Sequence, residues 1–97
     1  MKLKKIACIV LNRNLGKVTD ELVIKIRDSY SNIDVFVVDG GSQEQFKSKY
    51  TTWHVSTDEV KLNGLRFPRG MNFGLYQLFL TKQIYDYDYF FLVANDA

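Results

Sequence analysis

Apolar runs in this sequence end in polar side chains that could bind a ligand. Asn12, Asp39 and the pair Asn95 and Asp96 stand at such positions. A carboxylate held at the end of a rigid strand can accept hydrogen bonds from a ribose hydroxyl or a base N–H, and carboxylate and amide oxygens are suitable ligands for Mg²⁺ or Mn²⁺. These residues predict a polar ligand site in which Asp96 and Asn95 are the metal ligands.

Asp39 and Asp96 each also have a plainer interpretation. Asp39 precedes Gly40 and Gly41, and an aspartate after a strand commonly begins a turn by accepting a hydrogen bond from the backbone. The two glycines favour close approach of a ligand, so Gly41 joins Asp39 among the predicted binding residues. Asp96 could instead be a solvated residue at a chain terminus.

Two arginines are candidates for contact with a phosphate group. Arg66 and Arg69 flank Phe67 and Pro68 just before a predicted helix. Guanidinium groups and the N–H groups of a helix N-terminus could therefore face the same anion. The alternative is a solvated basic loop. His54 is the one histidine in the sequence, and it has no second metal-ligating residue nearby in the sequence, which favours a structural role.

The elements that would position these residues follow from the hydrophobic pattern. Apolar runs without alternation are typical of strands that are covered on both faces, as in a parallel sheet. The predicted strands are residues 6–11, 34–39, 52–57 and 87–93. We interpret residues 52–57 as a shorter outer strand.

The segments between the strands predict helices and one long loop. A helix capped by Thr19 or Asp20 runs to Tyr30, and a second helix runs from Gly70 to about Lys82. Residues 43–50 predict a short helical turn, and residues 58–69 predict a loop.

This order of elements predicts a three-layer αβα fold with a mostly parallel sheet, because parallel strands require crossovers and these are right-handed. Ligands bind such sheets at the carboxyl ends of the strands. The strand order 3-2-1-4 would place the ends that carry Asn12, Asp39 and Asp96 side by side.

The totals describe one small domain, residues 1–97, with a formal charge of +2. This charge is too small to predict binding to nucleic acid. Cys8 is the one cysteine, so no disulfide can form within the chain, and a reducing cytoplasmic setting is expected. No apolar run is long enough for a transmembrane segment. The dinucleotide fingerprint and the Walker A motif are both absent from the sequence.

Four stretches together resemble the amino-terminal half of family 2 glycosyltransferases, which are inverting enzymes with the GT-A fold, a Rossmann-like architecture. The stretches are "IACIVLNRN", "DVFVVDGGS", "GMNFGL" and "YFFLVANDA". The resemblance implies that Asn12 lies beside a UDP- or dTDP-type nucleotide-sugar and that Asp39 contacts its base or ribose. It also implies that Asp96 helps to hold Mg²⁺ or Mn²⁺ on the diphosphate and that Asn72 belongs to a helix motif below the sugar.

The chain departs from the family pattern in three respects. Ala94 replaces the usual first residue of the metal motif, which weakens the expected metal site. Met71 replaces a frequent arginine, so a cationic contact would have to come from Arg66 or Arg69. Members of the family continue into an acceptor-binding half that supplies the catalytic base. We therefore expect a truncated donor-binding domain that is inactive alone and that, in a longer parent protein, could lie at a membrane surface.

A second function class fits the same pattern. The chain could be a non-catalytic α/β interaction module that self-associates as a homodimer through the open edge of its sheet. A phosphoacceptor receiver domain has a similar sheet, but Asn12, Arg13 and Asn14 do not provide the acidic cluster that such a domain needs.

Overall fold

A computed structural model describes residues 4–94. It contains one sheet of four parallel strands in the order β3-β2-β1-β4. The strands are β1 (Ile6–Asn12), β2 (Ile33–Gly40), β3 (Thr51–Val55) and β4 (Tyr89–Ala94). The predicted parallel sheet and its order 3-2-1-4 are confirmed.

Helices cover both faces of this sheet. They are α1 (Gly16–Ser29), α2 (Asp58–Asn63) and α3 (Phe67–Leu80), and single 3₁₀ turns lie at Glu44–Phe46 and Gln83–Asp86. On one face α1 packs against a buried cluster formed by Cys8, Val10, Val35 and Val37. On the other face α2 and α3 pack against Ala7, Ile9, Leu11 and Val38. The fold is therefore a three-layer α/β sandwich, as predicted.

The two central strands are more buried than the two edge strands, and the sequence pattern indicates this for β3 but not for β4. In β1 every residue after Ile6 is buried, and in β2 the last four residues are buried. The edge strand β3 alternates between half-buried and exposed positions. The other edge strand, β4, has no residue classed as buried. A continuously apolar sequence thus corresponds to a covered strand in β1 and β2. It does not in β4, which lies at an edge of the sheet.

Two glycines of helix α3 pack directly against side chains of β1. A Cβ atom on Gly70 would lie 2.8 Å from Leu11 Cδ1, and one on Gly74 would lie 2.9 Å from Ile9 Cγ2. Both distances are shorter than ordinary carbon contacts. The glycines of the "GMNFGL" stretch therefore have a packing role.

Helix α1 begins earlier than the predicted cap at Thr19 or Asp20. The first helical residue is Gly16, and the Leu15 N–H donates to Asn12 Oδ1 at 3.0 Å. Thr19 is buried inside the helix. Asp20 accepts hydrogen bonds from the Ser48 hydroxyl and the Lys49 N–H, so its carboxylate holds the connection between β2 and β3.

The predicted loop over residues 58–69 is wrong, since it contains α2 and the start of α3. Thr57 caps α2 by accepting a hydrogen bond from the Val60 N–H, and acidic residues occupy the first turn. Pro68 lies in the first turn of α3, where a missing N–H costs no helical hydrogen bond. The predicted helical turn over residues 43–50 is also wrong beyond its 3₁₀ turn at Glu44–Phe46.

Aromatic side chains cluster around Phe36 of the central strand β2. The Phe36 and Trp53 rings stack with their centroids 5.5 Å apart, and the Tyr87 ring meets Phe36 edge on. The Tyr87 hydroxyl donates to Asp34 Oδ2 at 2.7 Å. Burial, followed by this hydrogen bond to a carboxylate, raises the pKa of Tyr87.

Among residues 4–94, no helix combines the length and apolar character that crossing a lipid bilayer requires.

Candidate functional site

Asn12 and Asp39 lie opposite each other at the carboxyl ends of β1 and β2. The two residues are partners in the parallel register. Asn12 Nδ2 donates to Asp39 Oδ1 at 3.4 Å, and the residues are 0% and 1% exposed. The structure therefore brings together two of the predicted strand-end residues, as a buried polar pair.

The chain itself uses the polar atoms of this pair. Asp39 Oδ2 accepts a hydrogen bond from the Ser42 N–H at 3.1 Å, which is the turn role weighed above for this aspartate. Asn12 Nδ2 also donates to the Phe46 carbonyl at 3.4 Å. Because both side chains are buried and bonded to Ser42 and Phe46, a ligand could reach them only after a local movement of the chain.

The chain also fills the space beside the two glycines that follow Asp39. Gly41 has a φ of +79°, and a Cβ atom there would lie 2.6 Å from the Val60 carbonyl oxygen. A Cβ atom on Gly40 would lie 2.9 Å from Leu65 Cβ. The close approach that the glycine pair predicts is thus made by residues 60–65 of the chain.

Asn14 connects the loop after β1 to the loop after β2. It adopts a left-handed conformation with φ of 59°, which asparagine tolerates better than most residues. Its N–H donates to Ser42 Oγ and its Oδ1 accepts from the Gln43 N–H, both at 2.8 Å. An asparagine after a strand is typical of a left-handed residue in a turn, but the sequence alone does not show that Asn14 contacts the loop after β2.

A small cavity lies at the carboxyl end of β1, between that strand and the connection from α2 to α3. Its volume is about 130 Å³, and we call it the arginine cavity. Its lining residues are Leu11, Arg13, Asn63, Gly64, Leu65 and Arg66. Arg13 Nη2 donates to the carbonyls of Lys61 at 3.3 Å and Leu62 at 3.4 Å. Sequence reasoning did not identify Arg13, because its position depends on α2.

The two predicted phosphate-binding arginines are in different electrostatic settings. Arg69 Nη1 lies 3.4 Å from Glu59 Oε1 in an exposed ion pair. Arg66 precedes the first residue of α3, and none of the ion pairs among the described residues includes it. A neighbouring cleft of about 510 Å³ is lined by both arginines together with Glu59, Asn63 and Gly64. The charge of Arg66 is therefore available, while that of Arg69 is partly offset.

A second cleft opens near the end of β2. It has a volume of about 320 Å³, and Gly41, Ser42, Gln43, Glu44, Lys47 and Lys61 line it. Lys47 Nζ lies 3.0 Å from Glu44 Oε2, and this partner lowers the pKa of the glutamate. Because Lys61 belongs to α2, this short helix borders both the cleft and the arginine cavity.

The remaining predicted site residues contribute less to the described geometry. Asn72 is exposed on α3. Ala94 pairs with Leu11 at the end of β4, and the predicted metal ligands Asn95 and Asp96 lie outside the described residues. Within residues 4–94, no group of three or more histidine, cysteine, aspartate or glutamate side chains is arranged to hold a metal ion.

The chain was compared with protein-family models, with curated proteins and with solved structures, and none of the three comparisons found a match.

Proposed function

We propose that the chain is a donor-binding domain of glycosyltransferase type that binds a UDP- or dTDP-type nucleotide-diphospho-sugar at the carboxyl edge of its sheet. The main support is the register pair of Asn12 and Asp39, which occupies the ends of adjacent strands in a sheet ordered β3-β2-β1-β4. In open α/β sheets, ligands bind near the point where the strand order reverses. Here that point lies between β1 and β4.

The proposed contacts divide between the nucleoside and the diphosphate. Asp39, with Asn12 beside it, would accept hydrogen bonds from the base or ribose after residues 42–46 move aside. Arg66 would donate to the diphosphate from the residue before α3. Asp96 and Asn95 would hold Mg²⁺ or Mn²⁺, which would offset charge on the phosphate oxygens. The proposal concerns donor binding and does not extend to sugar transfer by this chain.

Nucleotide-dependent thermal stability tests this proposal. We expect UDP or dTDP with Mn²⁺ to raise Tm, because a ligand that binds only the folded state stabilises it. The result should be repeated by isothermal titration calorimetry below the Tm of every variant. No change in Tm with any nucleoside diphosphate, together with no heat of binding, would refute donor binding.

Asp39→Asn and Arg66→Gln are the informative variants for this experiment. Asp39→Asn should weaken nucleotide binding while folded protein remains at low temperature, and Arg66→Gln should weaken binding of UDP more than that of uridine. Lys25→Gln is the matched control, because Lys25 is exposed on α1 and its loss also removes one positive charge. An equal effect of Lys25→Gln would indicate non-specific electrostatics.

The exposed surface of β4 favours a second candidate function, which is self-association through the sheet edge. Tyr89, Phe91 and Leu92 are 54%, 51% and 40% exposed, and the segment Tyr89–Ala94 contains no charged residue. Natural edge strands usually carry charges or other features that prevent pairing. We propose that two copies of β4 pair antiparallel about a two-fold axis, which lets the same segment serve on both sides.

An apolar groove beside β4 would enlarge this contact. It has a volume of about 410 Å³, and Ile6, Cys8, Ile26, Tyr30, Asn32, Ile33, Phe91 and Val93 line it. Tyr89 and Phe91 supply roughly 200 Å² of apolar surface, at about half of the 150–250 Å² that each aromatic can bury, and Leu92 adds a smaller area. A standard interface needs about 800 Å² from each partner. The groove must therefore take part, and we expect a weak dimer.

Sedimentation velocity over a concentration series tests self-association. Phe91→Lys should keep the chain monomeric, because a charge on an edge strand prevents pairing. Tyr85→Lys is the control, since Tyr85 is more exposed but lies in a 3₁₀ turn outside the sheet. A monomer at every concentration would refute this candidate. A dimer that is indifferent to nucleotide would favour it over donor binding.

A further inference from the structure

The arginine cavity has the charge and size of a site for one small anion. Arg13 and Arg66 both line it, and none of the described residues that line it carries a carboxylate. Its volume of about 130 Å³ is far below the 300–1,000 Å³ that is typical of pockets for drug-sized ligands. A single phosphoryl group has the appropriate dimensions for this cavity.

Arg13 is held in place by the chain but keeps an unused donor. Its Nη2 is fixed by the carbonyls of Lys61 and Leu62 near the end of α2. Its Nε is buried and has no hydrogen-bond partner among the described residues. A buried N–H group normally has an acceptor, and an unpaired one requires an explanation. Because this Nε is closed to solvent, an oxyanion in the cavity would bind the accessible part of the guanidinium, or reach Nε after a shift of the side chain.

Arg66 adds a second charge from a different element. It immediately precedes α3, a helix of 14 residues whose first turn has N–H groups without helical partners. The positive end of that helix also favours an anion. Arg66 is exposed and takes part in none of the ion pairs among residues 4–94. The two arginines thus approach the cavity from β1 and from α3.

We propose that the arginine cavity is a phosphoryl-binding site in which Arg13 and Arg66 are the principal donors. The ligand class is inorganic phosphate or the terminal phosphoryl group of a phosphate ester. Arg69 does not line this cavity, and it pairs with Glu59. The proposal does not require nucleotide recognition, because it rests on the cavity, on the two arginines that line it and on the unpaired charge of Arg66.

Inorganic phosphate is the probe for this site. In a ¹⁵N-labelled sample at constant ionic strength, titration with about 1–10 mM phosphate should shift the Arg13 Nε–H resonance and raise Tm, because phosphate would bind only the folded state. Arg66→Gln should weaken phosphate binding by about tenfold or more, which is the expected cost of a lost hydrogen bond between charged groups. Arg13→Gln should weaken it at least as much.

Controls separate specific binding from general salt effects. Lys25→Gln removes one exposed positive charge on α1 and should retain the full response. Chloride at the same ionic strength should produce no shift of the Arg13 resonance. If Arg13→Gln does not fold, Arg66→Gln and the resonance of the unmodified chain still decide the question. An unshifted Arg13 resonance, or equal responses in Arg66→Gln and Lys25→Gln, would overturn the proposal.

The outcomes also distinguish this inference from donor binding. A phosphate response without any nucleotide response would support the phosphoryl site and refute the donor proposal. A nucleotide response that is weakened by Arg66→Gln but unchanged by Arg13→Gln, with no response to inorganic phosphate, would support donor binding and refute the phosphoryl site. Phosphate esters that compete with inorganic phosphate would identify the source of the phosphoryl group.

Discussion

Replacing Asp39 by asparagine tests whether the carboxylate is a structural acceptor in the buried pair with Asn12. One carboxylate oxygen accepts from Asn12 Nδ2, and the other accepts from the Ser42 N–H at 3.1 Å. Asparagine offers one oxygen and one NH₂ group. Whichever way its amide is turned, the NH₂ group faces a donor, so one of the two hydrogen bonds is lost.

Asn12 cannot repair this loss by rotating its own amide. Its Oδ1 already accepts from the Leu15 N–H at 3.0 Å at the start of α1. Rotation would restore the contact with residue 39 but would break the hydrogen bond to Leu15. One hydrogen bond is therefore lost in either orientation of the Asn12 amide.

The expected magnitude follows from two opposing effects. Loss of a hydrogen bond to a charged acceptor costs about 1.5–3 kcal/mol. The neutral amide recovers part of the cost of burying a charge that is 1% exposed. We therefore expect Asp39→Asn to lower the free energy of unfolding by about 1–2 kcal/mol, which corresponds to roughly 4–8 °C in Tm for each kcal/mol.

Urea unfolding at neutral pH, followed by circular dichroism, provides the assay. Asp28→Asn is the matched control, because Asp28 is exposed on α1 and its replacement removes the same charge. We expect the control to change the free energy of unfolding by less than about 0.5 kcal/mol. If Asp39→Asn were as stable as the control, the hydrogen bonds of the buried pair would not stabilise the fold.

Three further predictions concern other parts of the molecule. Gly16→Ala should lower the free energy of unfolding, measured in urea, by about 1–3 kcal/mol, because the alanine Cβ would collide with the Lys47 carbonyl. Unchanged stability would show that the backbone around Lys47 moves aside at little cost. The free energy of unfolding of the wild type should exceed that of Tyr87→Phe by less as pH rises above about 10. Burial and Asp34 raise the pKa of Tyr87 in the folded state, whereas the tyrosine of the unfolded chain ionises normally. A difference in urea unfolding that stays constant with pH would contradict this. Burial also raises the pKa of Cys8, so the reaction of this thiol with a disulfide reagent should be slow until urea unfolds the chain. Rapid labelling of the folded protein would contradict this, because it would show that the reagent reaches β1.

The central part of the fold could be predicted because it depends on local pattern. Strands β1 and β2 are continuously apolar, and a parallel strand pair between helical segments has few possible arrangements. The start of α1 could not be predicted in the same way. It depends on Asn12 accepting from the Leu15 N–H, whereas Thr19 resembles a helix cap but is buried within the helix.

The candidate site was predictable in position but not in detail. The ends of β1 and β2 meet in any parallel sheet with this order, so the proximity of Asn12 and Asp39 follows from topology. An aspartate at the end of a strand can either begin a turn or bind a ligand, and sequence alone does not separate these roles. The difference between Arg66 and Arg69 depends on Glu59, which faces Arg69 because residues 58–63 form a helix.

Trp53, the one tryptophan, lies on β3, the shortest of the four described strands, and its ring stacks on Phe36 of β2. Intrinsic fluorescence therefore reports chiefly on whether β3 is docked against β2, and much less on the opposite edge of the sheet. Detachment of β3 would change the emission spectrum while leaving most of the far-ultraviolet signal intact. Comparing the two signals during denaturation would show whether this edge separates before the rest of the domain unfolds.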